Sequence, residues 1–194
     1  MRIRKIALYI LGISLGFIAC KKNDVPTVVP DRDRTEQQII DNDSIIGYLE
    51  THYYNSSAFG VSNPNPSLMD LQITELPEDG VLPDPDNNTL LIDAVETLPT
   101  VFAETDYVFY ILKLNQGGGD SPNFCDKVRV NYEGRLLNDN IFDSTANPVT
   151  FDLLGLVPGW HKAIPYFSPS EGFNDVGDGT IDFSNFGLGV LFFP

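Results

Sequence analysis

The chain has 194 residues, with 27 acidic against 12 basic side chains and a formal net charge of −15 at pH 7. This acidity excludes electrostatic binding to nucleic acid or to anionic lipid head groups as a main function, because phosphates are repelled. The length allows one good hydrophobic core, or a core and a small appendage.

Residues 1–19 have the pattern of an export signal. Arg2, Arg4 and Lys5 precede the uncharged apolar run Ile6–Ala19, which is too short to span a bilayer comfortably. The run ends in Phe17-Ile18-Ala19-Cys20, which resembles a bacterial lipobox, where the cysteine sulfur carries a diacylglycerol. We therefore predict a lipoprotein signal peptide and lipidation of Cys20. A plain secretory signal or an N-terminal membrane anchor is the alternative.

Residues 20–34 are predicted to be a flexible tether. Prolines and alternating charges occur there without any apolar period, which is typical of a linker. A lipid on Cys20 would hold such an acidic protein to a membrane without help from its surface charge. The predicted localisation is therefore the cell envelope, lipid-anchored at the periplasmic or outer-membrane face.

Residues 35–100 are predicted to form a helix and a loop-rich connector. Thr35-Glu36-Gln37-Gln38 matches a capping box, which indicates about 18 residues of helix, in one piece or in two pieces around Asn42-Asp43-Ser44. The apolar stripe of this helix would be Ile39, Ile46, Leu49 and Tyr53. We expect the stripe to pack on the domain that follows; the alternative is a homodimer through this helix.

The second half of the chain has the pattern of an antiparallel sheet. Aromatic and β-branched residues dominate Tyr107–Leu114, which favours a strand. Apolar and polar side chains alternate over Lys127–Glu133, as in a strand buried on one face. A return strand is predicted at Ile141–Ser144, and the next edge strand is predicted to begin at Pro148–Phe151. Together these segments predict an α+β fold.

Three sequence blocks carry a family resemblance. They are Val128–Leu137, then Phe142-Asp143-Ser144, then Val157-Pro158-Gly159-Trp160, which begins a helix that Pro165 must shorten or bend. In this order and spacing the blocks resemble the substrate-pocket signature of the FKBP-type peptidyl-prolyl isomerases. The resemblance covers about residues 105–167, with a weaker echo at 189–194. It implies a curved antiparallel sheet wrapped on a short helix in residues 101–194, after the N-terminal helical segment.

The resemblance also implies a site, an apolar pocket with Trp160 as its floor. Carried over by motif, the catalytic residues would be Tyr132, Phe142, Asp143 and Trp160. The substrate-binding residues would be Val149, Leu156 and Val157. The main-chain amide of Val157 would bond the substrate backbone, and Tyr132 and Asp143 would orient the substrate carbonyl.

Such a pocket suits the rotation of X-Pro peptide bonds. The barrier is about 18 to 20 kcal/mol because the amide loses its resonance as it twists. A twisted amide is less polar at oxygen than a planar one, so a dry pocket disfavours the planar ground state more than the transition state. No nucleophile, cofactor or metal is needed.

Residues 168–187 depart from the family pattern. This acidic, glycine-rich insertion follows the helix, where a flap over the pocket would lie, and it would either shape peptide specificity or be a surface loop. Residues 174–182 faintly resemble a calcium loop but lack the required spacing of carboxylates, so an acidic turn is favoured and no metal is predicted.

The residues from Gly187 to Pro194 look like the strand after which the family has one more aromatic pocket residue and a final strand. We therefore expect the chain to be a C-terminally incomplete copy whose domain lacks that strand.

Three functions are compatible with these observations. The first is a peptidyl-prolyl cis-trans isomerase of the cell envelope that acts on proline-containing exported polypeptides. The second is a non-catalytic FKBP-like peptide-binding or chaperone lipoprotein that uses the same pocket. The third is a structural lipoprotein that pairs through its N-terminal helix. Rates of X-Pro isomerisation separate the first from the second.

Overall fold

The computed structural model describes residues 33–60, 63, 65–178 and 181–194. The signal peptide, Cys20 and most of the predicted tether lie outside the described residues. The helices are α1 (Arg34–Thr51), α2 (Leu91–Ala94) and α3 (Pro158–Ala163). The strands are β1 (His52–Tyr54), β2 (Ile73–Glu75), β3 (Thr89–Leu90), β4 (Glu96–Phe102), β5 (Thr105–Asn115), β6 (Lys127–Val130), β7 (Glu133–Arg135), β8 (Ile141–Ser144), β9 (Val149–Asp152), β10 (Gly172–Asp175), β11 (Ile181–Ser184) and β12 (Leu188–Phe192).

Helix α1 is continuous and is capped by Asp33, so the predicted cap at Thr35 is wrong. The carboxylate of Asp33 accepts hydrogen bonds from the amides of Thr35 and Glu36 at 2.9 and 3.3 Å, which satisfies two free amides of the first turn. The helix also runs through Asn42, whose side-chain oxygen accepts a bond of 3.0 Å from the Tyr110 hydroxyl. That tertiary bond gives the predicted helix breaker a partner on β5.

The buried face of α1 differs from the predicted stripe. Ile45 and Leu49 are buried and Ile46 packs beside them, whereas Ile39 is 53% exposed. Tyr53 lies in β1, because the helix ends at Thr51. The continuous helical phase sets the buried positions four residues apart, so Ile39 faces solvent. The helix packs on its own chain through Ile45 and Leu49.

Strand β5 is the centre of the described fold. It pairs antiparallel with β4 on one side and with β12 on the other, so that Tyr110 stands opposite Thr97 and Phe192. Successive side chains of a strand point to opposite faces. Because both faces of β5 are covered, the strand is an almost continuous apolar run, as its sequence indicates.

Two hydrophobic clusters cover the two faces of β5. The back cluster joins β5 to the N-terminal segment and consists of Ile45, Leu49, Leu91, Tyr110, Leu112, Leu114 and Phe192. The front cluster joins β5 to α3 and consists of Phe109, Ile111, Ala163 and Phe167, with Leu98, Leu191 and Phe193 packed on it. Because successive side chains of β5 point to opposite faces, the N-terminal segment packs behind the sheet and α3 packs in front of it.

The remaining strands form antiparallel pairs, β6 with β9, β7 with β8 and β10 with β11, while β1 pairs with β2 and β3. The strand predicted over residues 127–133 is divided into β6 and β7, with Tyr132 between them. Pro165 ends α3, as predicted, because the chain continues as a 3-10 turn, Ile164–Tyr166. The insertion contains the hairpin β10–β11.

These elements confirm the predicted α+β class, with antiparallel sheets, a short helix and an N-terminal helix. The domain boundary expected between residues 100 and 101 falls within β4. No helix in the described part of the chain has both the length and the apolar character needed to cross a membrane.

Candidate active site

Three aromatic rings meet at the start of α3. The Tyr132 and Trp160 ring centroids are 5.0 Å apart with the ring planes at 89°, and Phe151 lies 5.8 Å from Trp160 and 5.9 Å from Tyr132. Trp160 meets both other rings edge to face, an arrangement that aromatic quadrupoles favour, while Tyr132 and Phe151 are tilted at 57° to each other. We call these three residues, together with Asp143, the aromatic cleft.

Strand pairing and backbone hydrogen bonds fix the positions of these rings. The β6–β9 register sets Phe151 opposite Val128, which puts the Phe151 ring on the same face as the apolar residues of β6. The backbone of Tyr132 bonds Thr145 twice, through the amide to the hydroxyl at 3.2 Å and through the carbonyl to the amide at 3.0 Å. The first turn of α3 sets the position of the Trp160 ring.

Phe151 was not among the predicted site residues. It lies between the second and third blocks of the family motif, although the period-two pattern of β9 marks Phe151 as the only half-buried residue of that strand. The predicted neighbour Val149 lies on the same face but is 37% exposed. The alternation of apolar and polar side chains along β9, compared with that along β6, was the signal that could have identified Phe151.

The Tyr132 hydroxyl donates a hydrogen bond of 2.5 Å to the carboxylate of Asp143. This bond raises the pKa of Tyr132, and desolvation and the negative charge of Asp143 act in the same direction. A register shift in the β7–β8 pair sets Asp143 opposite Gly134 and leaves Phe142 as the extra residue. The bulge therefore aims the carboxylate at the tyrosine.

Phe142 lies apart from the described ring contacts of the cleft. Its ring packs over Gly134, where an added Cβ would stand only 2.6 Å from a ring carbon, and its side chain is 67% exposed. A larger residue at position 134 would therefore displace this ring. The structure places Tyr132, Asp143 and Trp160 together, and leaves Phe142 on the surface of the hairpin.

The N-terminus of α3 is formed by Val157 and Pro158. The Val157 carbonyl accepts from the Trp160 amide at 3.0 Å, and Pro158 occupies the first turn, where its missing donor costs nothing. Among the described residues, no recorded hydrogen bond is donated by the Val157 amide. The side chain of Val157 is 64% exposed, whereas Leu156 is half-buried.

The base of the insertion is fixed by backbone hydrogen bonds. Its ends are bonded to the chain after β5, through the Gly118 amide to Asn185 and the Gly119 amide to Pro169. That anchor is at the Leu188 end of β12, whereas Phe193, just past the other end, packs against Gly159 in α3. Whether the insertion shapes peptide specificity as a flap or is a surface loop stays a prediction.

The described residues contain no group of three or more His, Cys, Asp or Glu side chains arranged to hold a metal ion. This part of the chain includes most of the calcium-like loop considered above. Cys20, the predicted lipidation site, lies outside the described residues.

Comparison with known proteins gives matches in the same region. Residues 118–173 match the family described as FKBP-type peptidyl-prolyl cis-trans isomerase. The resemblance inferred from the three sequence blocks is confirmed over this segment. No solved structure matches the chain.

Curated relatives cover a similar share of the chain. The peptidyl-prolyl cis-trans isomerase Mip of Coxiella burnetii is 44% identical over 59 residues, which are 29% of this chain and 26% of that protein. The FKBP-type 22 kDa peptidyl-prolyl cis-trans isomerase of Escherichia coli is 41% identical over 54 residues, 26% of each chain. The outer membrane protein MIP of Legionella longbeachae is 37% identical over 54 residues, 26% of this chain and 23% of that protein. The matched segment thus spans about a quarter of each of these relatives.

Proposed function

We propose that this protein is a peptidyl-prolyl cis-trans isomerase that acts on X-Pro bonds of exported polypeptides. The observation that carries the proposal is the aromatic cleft, in which Trp160 meets Tyr132 and Phe151 edge to face beside the Tyr132–Asp143 hydrogen bond. The names of the matched relatives point to the same reaction.

The proposed mechanism uses contact and desolvation. The prolyl ring would rest on Trp160, and its carbonyl would leave water as it enters the cleft. Because the twisted amide needs less solvation at oxygen than the planar amide, the transition state gains relative to the ground state. Each 1.36 kcal/mol of that difference is worth about tenfold in rate. Neither a covalent intermediate nor a metal is part of the mechanism.

Polar groups at the rim would orient the substrate. The Val157 amide stands at the start of α3 without a recorded acceptor among the described residues, so it is available to a substrate carbonyl. The Tyr132 hydroxyl and the Asp143 carboxylate would restrain the carbonyl that twists. We assign substrate binding to Val149, Leu156 and Val157, and catalysis to Tyr132, Phe142, Asp143 and Trp160.

A non-catalytic peptide-binding or chaperone lipoprotein is the second candidate. The exposure of Phe142 and Val157, 67% and 64%, favours it, because two side chains that were expected to enclose the prolyl ring stand in solvent instead. A wet cleft would still hold a prolyl side chain by contact but would desolvate the amide little. Binding without acceleration would then be the outcome.

We further propose that the protein is held in the cell envelope by lipid on Cys20, at the periplasmic or outer-membrane face. The apolar run before Cys20 and the acidic character of the rest of the chain support this anchor. The name of the Legionella longbeachae relative includes an outer membrane location. A homodimer through α1 is a further proposal, supported by Ile39 and Ile40, which are 53% and 48% exposed.

The test replaces the floor of the cleft. Trp160→Ala removes the ring on which the prolyl group would rest, so kcat/KM for an X-Pro peptide should fall by about tenfold for each 1.36 kcal/mol of transition-state contact that is lost. Isomerisation is measured by protease-coupled absorbance, with folding checked by circular dichroism. Phe173→Ala is the matched control, since Phe173 is 72% exposed on β10.

The two candidates give different results. Acceleration that Trp160→Ala lowers and Phe173→Ala preserves supports the isomerase. Peptide binding that depends on Trp160, with no acceleration by the unmodified chain, supports the binding protein instead. Equal rates with and without Trp160 would contradict the assignment of the cleft.

A further inference from the structure

A second concave surface lies beside α3. This side groove has a volume of about 550 Å³. Its lining includes Pro99, Phe109, Phe124, His161, Lys162 and Tyr166. Trp160 belongs to the cleft and the next two residues to the groove, so the two sites share one short helix.

The groove combines apolar walls with one cation. Phe124 and Tyr166 are 59% and 40% exposed, and Tyr166 meets Phe109 edge to face at 6.4 Å. The Lys162 ammonium has no recorded ion-pair partner among the described residues, in contrast to Lys113, which pairs with Glu96 at 3.1 Å. Apolar walls with a few polar groups are typical of binding sites.

The charge of the groove lining indicates which ligand side chains it would favour. The chain has 27 acidic residues, yet none of the residues that line the described groove is acidic. Lys162 is thus the charged side chain of the described lining, and the Asp126 carboxylate, which accepts a hydrogen bond of 2.7 Å from the Asn123 amide, lies at its border. A carboxylate that reaches Lys162 gains an ion pair, whereas an ammonium in the same place would meet a like charge.

His161 adds an unsatisfied polar atom. Its Nδ1 atom is buried and has no hydrogen-bond partner among the described residues. Buried polar atoms are nearly always paired, so a missing partner in the free protein needs an explanation. A ligand that let the ring turn slightly toward the groove would supply this partner.

Strand β4 forms one wall and favours an extended ligand. Among the described strands β4 pairs only with β5, so its outer edge carries backbone groups without a strand partner. Extended peptides bind such edges through main-chain hydrogen bonds, and their side chains enter neighbouring pockets. Pro99 removes one donor from this edge but leaves its carbonyls.

We propose that the side groove binds a short extended segment of another polypeptide, with a carboxylate side chain on Lys162 and an apolar side chain between Phe124 and Tyr166. This site is separate from the aromatic cleft and does not require proline. It would give the protein a second point of attachment to a client, selective for acidic and apolar sequence.

The test uses proline-free peptides, so that it is independent of prolyl isomerisation. Acetyl-Val-Glu-Phe-Val-amide and its Gln counterpart are titrated into the full chain by calorimetry. The Glu peptide should bind roughly two- to fivefold more tightly, the range for one exposed ion pair. Lys162→Arg should keep this preference, and Lys162→Gln should abolish it. Phe124→Ala should weaken both peptides.

Lys127→Gln is the matched control, because Lys127 is an exposed cation on β6 outside the groove. This variant should still bind the Glu peptide more tightly than the Gln peptide, although it changes the net charge of the protein as much as Lys162→Gln does. Equal affinity for the two peptides, an absence of binding, or an equal loss in Lys127→Gln would overturn the proposal. Self-association of the chain that displaces the peptide would identify a second copy as the occupant and would also overturn it.

Discussion

At the scale of single residues, Tyr132 connects the parts of the cleft. Its ring contacts Phe151 and Trp160, its hydroxyl bonds Asp143, and its backbone is fixed by Thr145. Four partners on three segments of chain leave the side chain little freedom. The hydroxyl is therefore presented in one position, which a substrate carbonyl can use without further ordering cost.

Removal of this hydroxyl should affect activity more than folding at neutral pH. In Tyr132→Phe the ring contacts remain, while Asp143 loses the donor that holds it. We expect kcat/KM for an X-Pro peptide to fall by about 3- to 15-fold, the worth of one hydrogen bond, measured by the protease-coupled rate. Unchanged kinetics would show that the Tyr132–Asp143 pair is only structural.

The raised pKa of Tyr132 makes a prediction for alkaline solution. A raised pKa means that the folded state favours the neutral phenol. The stability that the Tyr132 phenol contributes is therefore complete below its ordinary pKa of 10.0 and is lost as pH rises through the raised value. The free energy of unfolding, measured by urea titration in alkaline buffers, should fall less steeply in Tyr132→Phe. An identical slope in both proteins would contradict the effect.

At the scale of elements, β5 and α1 determine how the N-terminal segment is attached. The back cluster places α1 on one face of β5, and the Tyr110–Asn42 hydrogen bond adds a polar contact at the same interface. Leu49 is fully buried there. The helix is thus part of the core and contributes to the stability of the sheet that carries the cleft.

Truncation of Leu49 tests this attachment. Leu49→Ala should lower the free energy of unfolding by about 2 to 5 kcal/mol, because it removes buried methyl groups and leaves a cavity. Ile39→Ala on the exposed face of the same helix should change it by less than about 0.5 kcal/mol. Equal effects in urea denaturation would mean that the helix is not docked as described.

Sequence patterns predicted the local elements well and their tertiary partners poorly. The run Tyr107–Leu114 and the block Ile141–Ser144 are strands because β-branched and aromatic residues favour the pleated backbone. The cap at Asp33 and the exposure of Ile39 were missed, because the cap depends on the local backbone and the buried face depends on which segments pack against the helix. The groups that meet across the chain, such as Asn42 with Tyr110, are set by tertiary packing.

The same limit applies to the site. Motif spacing identified Tyr132, Asp143 and Trp160, which the structure brings together. It could not show that Phe142 would pack over Gly134, or that Phe151 would complete the cluster, because both depend on strand register. The side groove was not predicted either, since its walls come from segments far apart in sequence.

At the scale of the whole molecule, β5 unites the two halves. The residues from Asp33 to Pro194 form one compact unit, and alternate side chains of β5 belong to the front and the back cluster. Loss of either cluster would expose one face of β5, the strand against which the other cluster packs. Unfolding should therefore be a single cooperative transition.

Two probes can test this cooperativity. Trp160 is the only tryptophan, so its fluorescence reports the front of the sheet, whereas far-ultraviolet circular dichroism reports all elements. We expect coincident urea midpoints, and Leu49→Ala in the back cluster should shift both midpoints equally. A fluorescence transition that stays in place while the dichroism transition moves would show that the halves unfold separately.

Helix α3 has only six residues, with Trp160 on the cleft side and Lys162 on the side groove. A ligand that turned this helix by a few degrees would reshape both surfaces at once. Any coupling free energy between the two sites must be reciprocal, so a client segment that tightens prolyl binding would itself be held more tightly by a bound prolyl residue. The helix would thereby make the protein prefer chains that present both features together over chains that present either alone.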